Sequence, residues 1–355
     1  MKFNHNQFVF AREFRGISQT ELSKNIVGLS QSNLSKFEKG FDVLSTSAIE
    51  SLIDFLGFPK SFFTKNIDNT IENAHYRKRS GISKGLKTQI EANNRLLGFV
   101  VDQLNESVDF PEFSFKPLDP EDYLPEEIAR FTRKLIGINR KEPILNIFNL
   151  LEANGIIVIE SDDAIDKFDG VSLRSDKGVP IIIINKNFPN DRKRFTLAHE
   201  LGHILMHIWG DFPIPKHRDE KTKEIEANRF AAEFLMPEEG IRNSLIGLNL
   251  YDLSPLKKYW HTSKQSIIRR AKDLKAINQD RYQYFMIELS RMGERKIEKT
   301  LVDIDTPVAF KKAYNIHKDV LHYTDQELAE AFSLTPDIIK KYFNFSDNSK
   351  LRVIV

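Results

Sequence analysis

One stretch allows few folds around it: Phe195-Thr196-Leu197-Ala198-His199-Glu200-Leu201-Gly202-His203-Ile204-Leu205-Met206-His207. Leu197, Ala198, Leu201, Leu205 and Ile208 make it a largely apolar helix, so its polar groups are buried and need partners. His199 and His203 stand at i and i+4, which puts both imidazoles on one face where they can hold a single metal ion. Glu200 lies beside them, placed to take a proton from a metal-activated water. Tetrahedral catalytic zinc takes three protein ligands and leaves its fourth position to water. The chain has no cysteine, which excludes disulfides and thiolate sites and leaves a histidine or a carboxylate as the third ligand. Gly202 costs about 1 kcal/mol inside a helix, so close approach of another segment is expected there.

His207 continues the series but lies roughly 12 Å along the axis from His199, too far to share one metal. It is assigned behind the ligands, toward substrate, or to packing. The longer three-histidine pattern is absent, because Met206 and Trp209 stand where it needs glycine and histidine. The third ligand is sought in 220–237, EKTKEIEANRFAAEFLMP, a helix ended by Pro237. Glu224, Ala227, Asn228, Ala231 and Leu235 share a face, and the small residues permit close packing on the histidine helix. Helical phase favours Glu224, with Glu226 as its competitor, and Asn228 is placed to bond a ligating imidazole.

AHELGHILMH followed by ExEANRFAAEFLMP resembles the ImmA/IrrE family of metallopeptidases. The resemblance implies zinc histidines at His199 and His203, a catalytic glutamate at Glu200, and a ligand glutamate at Glu224 or, one step away, Glu226. It also implies cleavage of DNA-binding repressors in the cytoplasm, often under DNA damage or phage-related signals.

The N-terminal stretch reads as short helices over 7–15, 19–25, 31–39 and 45–56. They are punctuated by Gly16, Gly28 and Gly40 and capped by Ser18 and Ser30. Helix, tight turn and second helix describe a helix-turn-helix, whose second helix enters the DNA major groove. SQTELSKNIVGLSQSNLSKFEKG is similar to the XRE/Cro-like repressor family. Gln31, Ser32 and Asn33 open the recognition helix, where Gln or Asn can read adenine. Gln19, Ser30 and Lys36 suit phosphates. A small protein-binding helical module is the alternative. The total charge argues neither way, with 52 basic against 50 acidic residues.

Further along, the basic run Arg77, Lys78, Arg79, Lys84 and Lys87 suits DNA, an acidic protein surface or a solvated linker. A helix is expected over 89–106 and a boundary in the Pro-containing 110–125. Helices at 125–136 and 143–154, a buried strand at 155–160 and a hairpin of 169–174 with 179–185 precede the zinc helices. The 170–174 edge suits either an extended substrate or a scaffold. A second helix-turn-helix-like segment at 253–277, with Lys264, Gln265, Arg269 and Arg270 as a basic face, suits packing, dimer contact or DNA. Thr300–Ile304 reads as a strand, followed by helices at 307–320, 325–332 and 335–343.

The expected fold is multidomain and mainly α with a small sheet, α+β in class. Its parts are a helix-turn-helix at 1–66, a connector at 67–120, a zincin-like peptidase region at 121–296 and a helical region at 297–355. No apolar run approaches membrane-spanning length and the start lacks a secretory pattern, so a cytoplasmic chain with no membrane partner is expected. The functional expectation is a homodimeric, operator-binding regulator whose zinc endopeptidase cuts a repressor or its own connector near 64–95. Its rivals are a non-catalytic repressor or antitoxin, and a zinc enzyme acting on a small molecule or nucleic acid.

Overall fold

The computed structural model describes residues 3–67, 83–161, 169–209, 218–295 and 297–343. The N-terminal helices are α1 (His5–Phe14), α2 (Gln19–Asn25), α3 (Gln31–Glu38) and α4 (Thr46–Leu56), followed by the long α5 (Lys84–Leu104). Next come α6 (Pro125–Leu135), α7 (Ile147–Ala153) and three strands, β1 (Ile157–Ser161), β2 (Gly170–Arg174) and β3 (Pro180–Asn185). The pair α8 (Asn190–His203) and α9 (Glu220–Leu235) is succeeded by α10 (Glu238–Ile241), α11 (Leu253–Trp260), α12 (Lys264–Asp273) and α13 (Gln279–Arg291). Finally α14 (Ala309–Asn315), α15 (Asp325–Phe332) and α16 (Pro336–Phe343) close the described chain. The protein is therefore mainly helical with one small sheet, α+β in class.

The sheet has the order β1-β3-β2, with β1 parallel and β2 antiparallel to β3. All six residues of β3, Pro180-Ile181-Ile182-Ile183-Ile184-Asn185, are buried. Alternation explains this, since successive side chains leave opposite faces of a strand. Ile181 and Ile183 join Ile157, Ile159, Val171 and Leu173 in a core shared with the N-terminal helices, α5 and α14–α16. Ile182 and Ile184 join Val158 in a second core with α6–α9 and α11–α13. The sheet is thus a wall between two cores.

The expected hairpin forms, and its turn is held by α5. Buried Asp102 accepts hydrogen bonds from the Ser175 hydroxyl and, at 3.2 Å, from the Lys177 amide. Residues 84–104 are therefore a packed helix and not a solvated spacer; Leu96, Leu97, Val100, Val101 and Leu104 are buried. Gln89 donates to the Phe14 carbonyl at 3.3 Å, and Arg95 to that of Ile67 at 2.8 Å. On another side, Tyr342 of α16 donates to Asn93 Oδ1 at 3.0 Å. The basic stretch at Arg77, Lys78 and Arg79 lies outside the described residues.

Two expected elements differ. The helix expected from 143 begins at Ile147, because the Ile144 and Leu145 carbonyls accept from the buried Arg194 guanidinium instead. Thr300–Ile304 is not a strand: it runs without a sheet partner, the Val302 carbonyl accepting from Asn190 Nδ2 at 2.8 Å. The second helix-turn-helix-like segment forms as α11 and α12, but its polar face is used internally. Lys264 pairs with Glu294 at 2.6 Å, Arg270 with buried Glu233, Arg269 with Asp273, and Gln265 donates to the Arg295 carbonyl.

Gly155, leading into β1, has φ +83°, and a Cβ there would lie 2.4 Å from the Glu112 carbonyl carbon. Gly137 has φ +71° with nothing within 4 Å. Gly155→Ala should destabilise by more than about 2 kcal/mol, against about 1 kcal/mol for Gly137→Ala, measured by denaturant unfolding.

Candidate metal centre

The site is built where α8 meets α9. At Gly202 a Cβ would lie 3.1 Å from the Phe230 ring and 3.3 Å from Ala227 Cα, a tight fit, so glycine suits the close approach of the two helices. The expectation of a close neighbour at Gly202 holds, and the neighbour is the helix of small residues.

This contact brings His199, His203 and Glu224 together. The two Nε2 atoms are 3.1 Å apart, and Glu224 oxygens lie 3.6 Å from His199 Nε2 and 3.5 Å from His203 Nε2. Ligands at 2.0–2.1 Å from a tetrahedral metal stand roughly 3.3 Å from one another, so the donor set fits one such ion. Burial raises the Glu224 carboxyl, but hydrogen bonds and charge from His199 and His203 outweigh it and hold the group well below the usual carboxylate range. A carboxylate ionised there suits a cation.

Glu226, the competitor, is turned away from this cluster. It bonds His207 Nε2 at 2.9 Å and is gripped by Arg218 Nε and Nη2 at 2.9–3.1 Å. His207 belongs behind the cluster: its Nδ1 lies 3.0 Å from His203 Nδ1. A single π turn over Ile204–Ile208, closed by the Trp209 amide on the Ile204 carbonyl at 3.0 Å, carries α8 onward to it. Burial lowers the His207 imidazole from its ordinary value, keeping it neutral near pH 7. Asn228 departs from expectation. Its Nδ2 donates to the Glu224 carbonyl at 2.6 Å, a bond along its own helix and not to an imidazole. It steadies the turn that carries Glu224.

Glu200 is 3% exposed and accepts from the Ser172 hydroxyl at 2.8 Å, with the Ser172 backbone amide also on it. Burial pushes its carboxyl up to about 6, against the lowering effects of His199 and Ser172. Gly170 makes room for this strand, since a Cβ there would lie 2.5 Å from Thr196 Cγ2. Ser172 was not singled out from sequence. The available signal was a small polar residue alternating with Gly170 on a hairpin strand. Arg218 was missed too, and nothing in its neighbours marks it.

At the N-terminal helices, Ser30 caps α3 by accepting from the Asn33 amide at 3.2 Å. Gln31, Ser32, Asn33 and Lys36 are exposed. Arg12 holds Glu38 at 2.6 and 2.9 Å; Gln19 donates to Glu38 at 2.6 Å and accepts from Gln31 at 2.9 Å. Gln19 is thus half-buried and engaged, and it fixes Gln31 at the start of α3.

His199, His203 and Glu224 could together hold a metal ion, with Glu200 and the β2 strand beside them. Residues 151–272 match the profile of Peptidase_M78, the IrrE N-terminal-like domain, so this region is similar to a metallopeptidase domain. That stretch contains every member of the cluster; residues 3–67 lie outside it. None of the curated proteins matches the chain. Among the described residues no helix is long and apolar enough to cross a membrane.

His199→Ala or Glu224→Ala should weaken binding of added zinc at least about 100-fold, since each removes one of the three side chains that could hold a metal ion. Exposed Glu220→Ala should leave it unchanged. Chelator-competition titration of the full chain measures both.

Proposed function

We propose that the chain is a DNA-binding regulator carrying a zinc metalloendopeptidase that hydrolyses a peptide bond in a regulatory protein. The observation that carries the catalytic half is the convergence of His199, His203 and Glu224 beside a buried Glu200 held by Ser172. Zinc held by those three would supply Lewis-acid polarisation of a carbonyl and activation of water. Glu200 takes a proton from the attacking water and delivers it to the leaving amine. Ser172 fixes its rotamer, so its carboxylate meets the water in one orientation. Its raised value near 6 suits both accepting and returning a proton at neutral pH.

The substrate is an extended peptide pairing with β2, an edge strand of the sheet and the one that carries Ser172. Such a segment comes from a separate repressor or from the part of 64–95 that precedes α5, since 84–95 is packed helix, in stress, phage or mobile-element control. For the regulatory half, α2 and α3 supply the helix-turn-helix. Gln31, Ser32 and Asn33 face base edges, while Gln19, Ser30 and Lys36 face phosphates. Paired half-sites call for a homodimer.

Glu200→Gln should retain zinc and lose cleavage by at least about 100-fold. Proteome-wide N-terminal mapping in the host, with and without DNA damage, compares it with the wild type. Termini that appear equally in both would remove the endopeptidase. The base works unprotonated, so wild-type cleavage should fall as pH drops through about 6. On duplexes selected from a random pool, Gln31→Ala should cost about 1–3 kcal/mol and relax one base position. Lys36→Ala should weaken all sequences alike; absence of any selected duplex removes the DNA half.

A further inference from the structure

We propose that His207 and Glu226, with Arg218, form a positioning relay that fixes the tautomer and ring orientation of His203 as a metal ligand. The inference rests on the reading of His199, His203 and Glu224 as the ligand set. It follows from where protons can sit. A histidine that binds a metal through Nε2 keeps its proton on Nδ1. His203 Nδ1 faces His207 Nδ1 at 3.0 Å, and two N–H groups cannot point at each other across that distance. His207 therefore accepts at Nδ1 and carries its own proton on Nε2. That atom lies 2.9 Å from Glu226 Oε2, so the proton is donated to a carboxylate.

Arg218 completes the arrangement. Its Nε and Nη2 bind both Glu226 oxygens, and its Nη1 reaches Glu121 at 2.6 Å. The carboxylate is thereby held in one plane with its charge balanced, and it stays an acceptor. His203 and His207 are 0% and 1% exposed, which keeps solvent from competing for these bonds. The other ligand has no equivalent: His199 Nδ1 has no hydrogen-bond partner among the described residues. Each donor in the series polarises the next, making His203 the more basic and more rigidly held of the two imidazoles.

The test uses the full chain with zinc as probe. In zinc-loaded wild type with nitrogen-15-labelled histidine, long-range proton–nitrogen spectra should show His203 protonated on Nδ1 and His207 on Nε2. His207 protonated on Nδ1 overturns the relay. By chelator competition, His207→Leu should weaken zinc about 10–100-fold and Glu226→Gln less. His207→Asn, whose carbonyl can accept where Nδ1 did, should recover most of the loss. His207→Leu binding zinc within about twofold of wild type overturns the relay. If His199→Ala in the same series still abolishes binding, the ligand reading survives that result. Zinc retained in His199→Ala overturns the ligand reading itself, and the relay with it.

Discussion

The metal centre depends on the closeness of α8 and α9 at Gly202. Zinc chemistry needs three donor atoms within a few ångströms of one point, and a fraction of an ångström matters. Side chains on two helices meet that demand only if the helix axes are fixed by something stiffer than the side chains. Here Phe230 and Ala227 press directly on the backbone at Gly202. Phe230 stacks on Phe234 at 5.5 Å, and both are fully buried. A Cβ at 202 would crowd the Phe230 ring and Ala227, and one of them would have to give by a few tenths of an ångström.

Charges buried around α9 set register more than stability. Glu233, fully buried, receives Arg270 from α12 and Arg130 from α6. Lys257 of α11 joins Asp191 at the start of α8 to Glu298. Such pairs return little net energy after desolvation, yet each is costly to break singly. Glu233's pairs tie α9 to α12 and α6, and Lys257's tie α11 to the start of α8.

Much of this was legible in the sequence because it was periodic. The i, i+4 histidines, the Glu224 face and the hairpin around Asp176-Lys177-Gly178 are local patterns, and local geometry enforces them. Glu224 and Glu226 are two residues apart, about 200° around the helix, so they point to nearly opposite sides. Phase separates them but does not alone fix which side meets the histidines, and in the structure Glu226 is held by Arg218. Asn228 was misread for a related reason: an amide one turn from a carbonyl can bond its own backbone as readily as a neighbour. Ser172 and Asp102 depend on contacts between residues far apart in sequence, so no spacing announces them. Thr300–Ile304 has strand composition but pairs with neither edge of the sheet; composition does not say where a segment will lie.

The β2–β3 hairpin touches both halves of the molecule. Its turn is tied to Asp102 on α5, the helix that also carries α1 and α16, and its first strand carries the Ser172 that sets Glu200. The Glu200 carboxyl is consequently aligned by a lever whose far end rests on the N-terminal helices. Mechanically, these helices and that carboxyl share one short rigid part. A tilt of α5 against the sheet is a change in the angle at which Glu200 is presented.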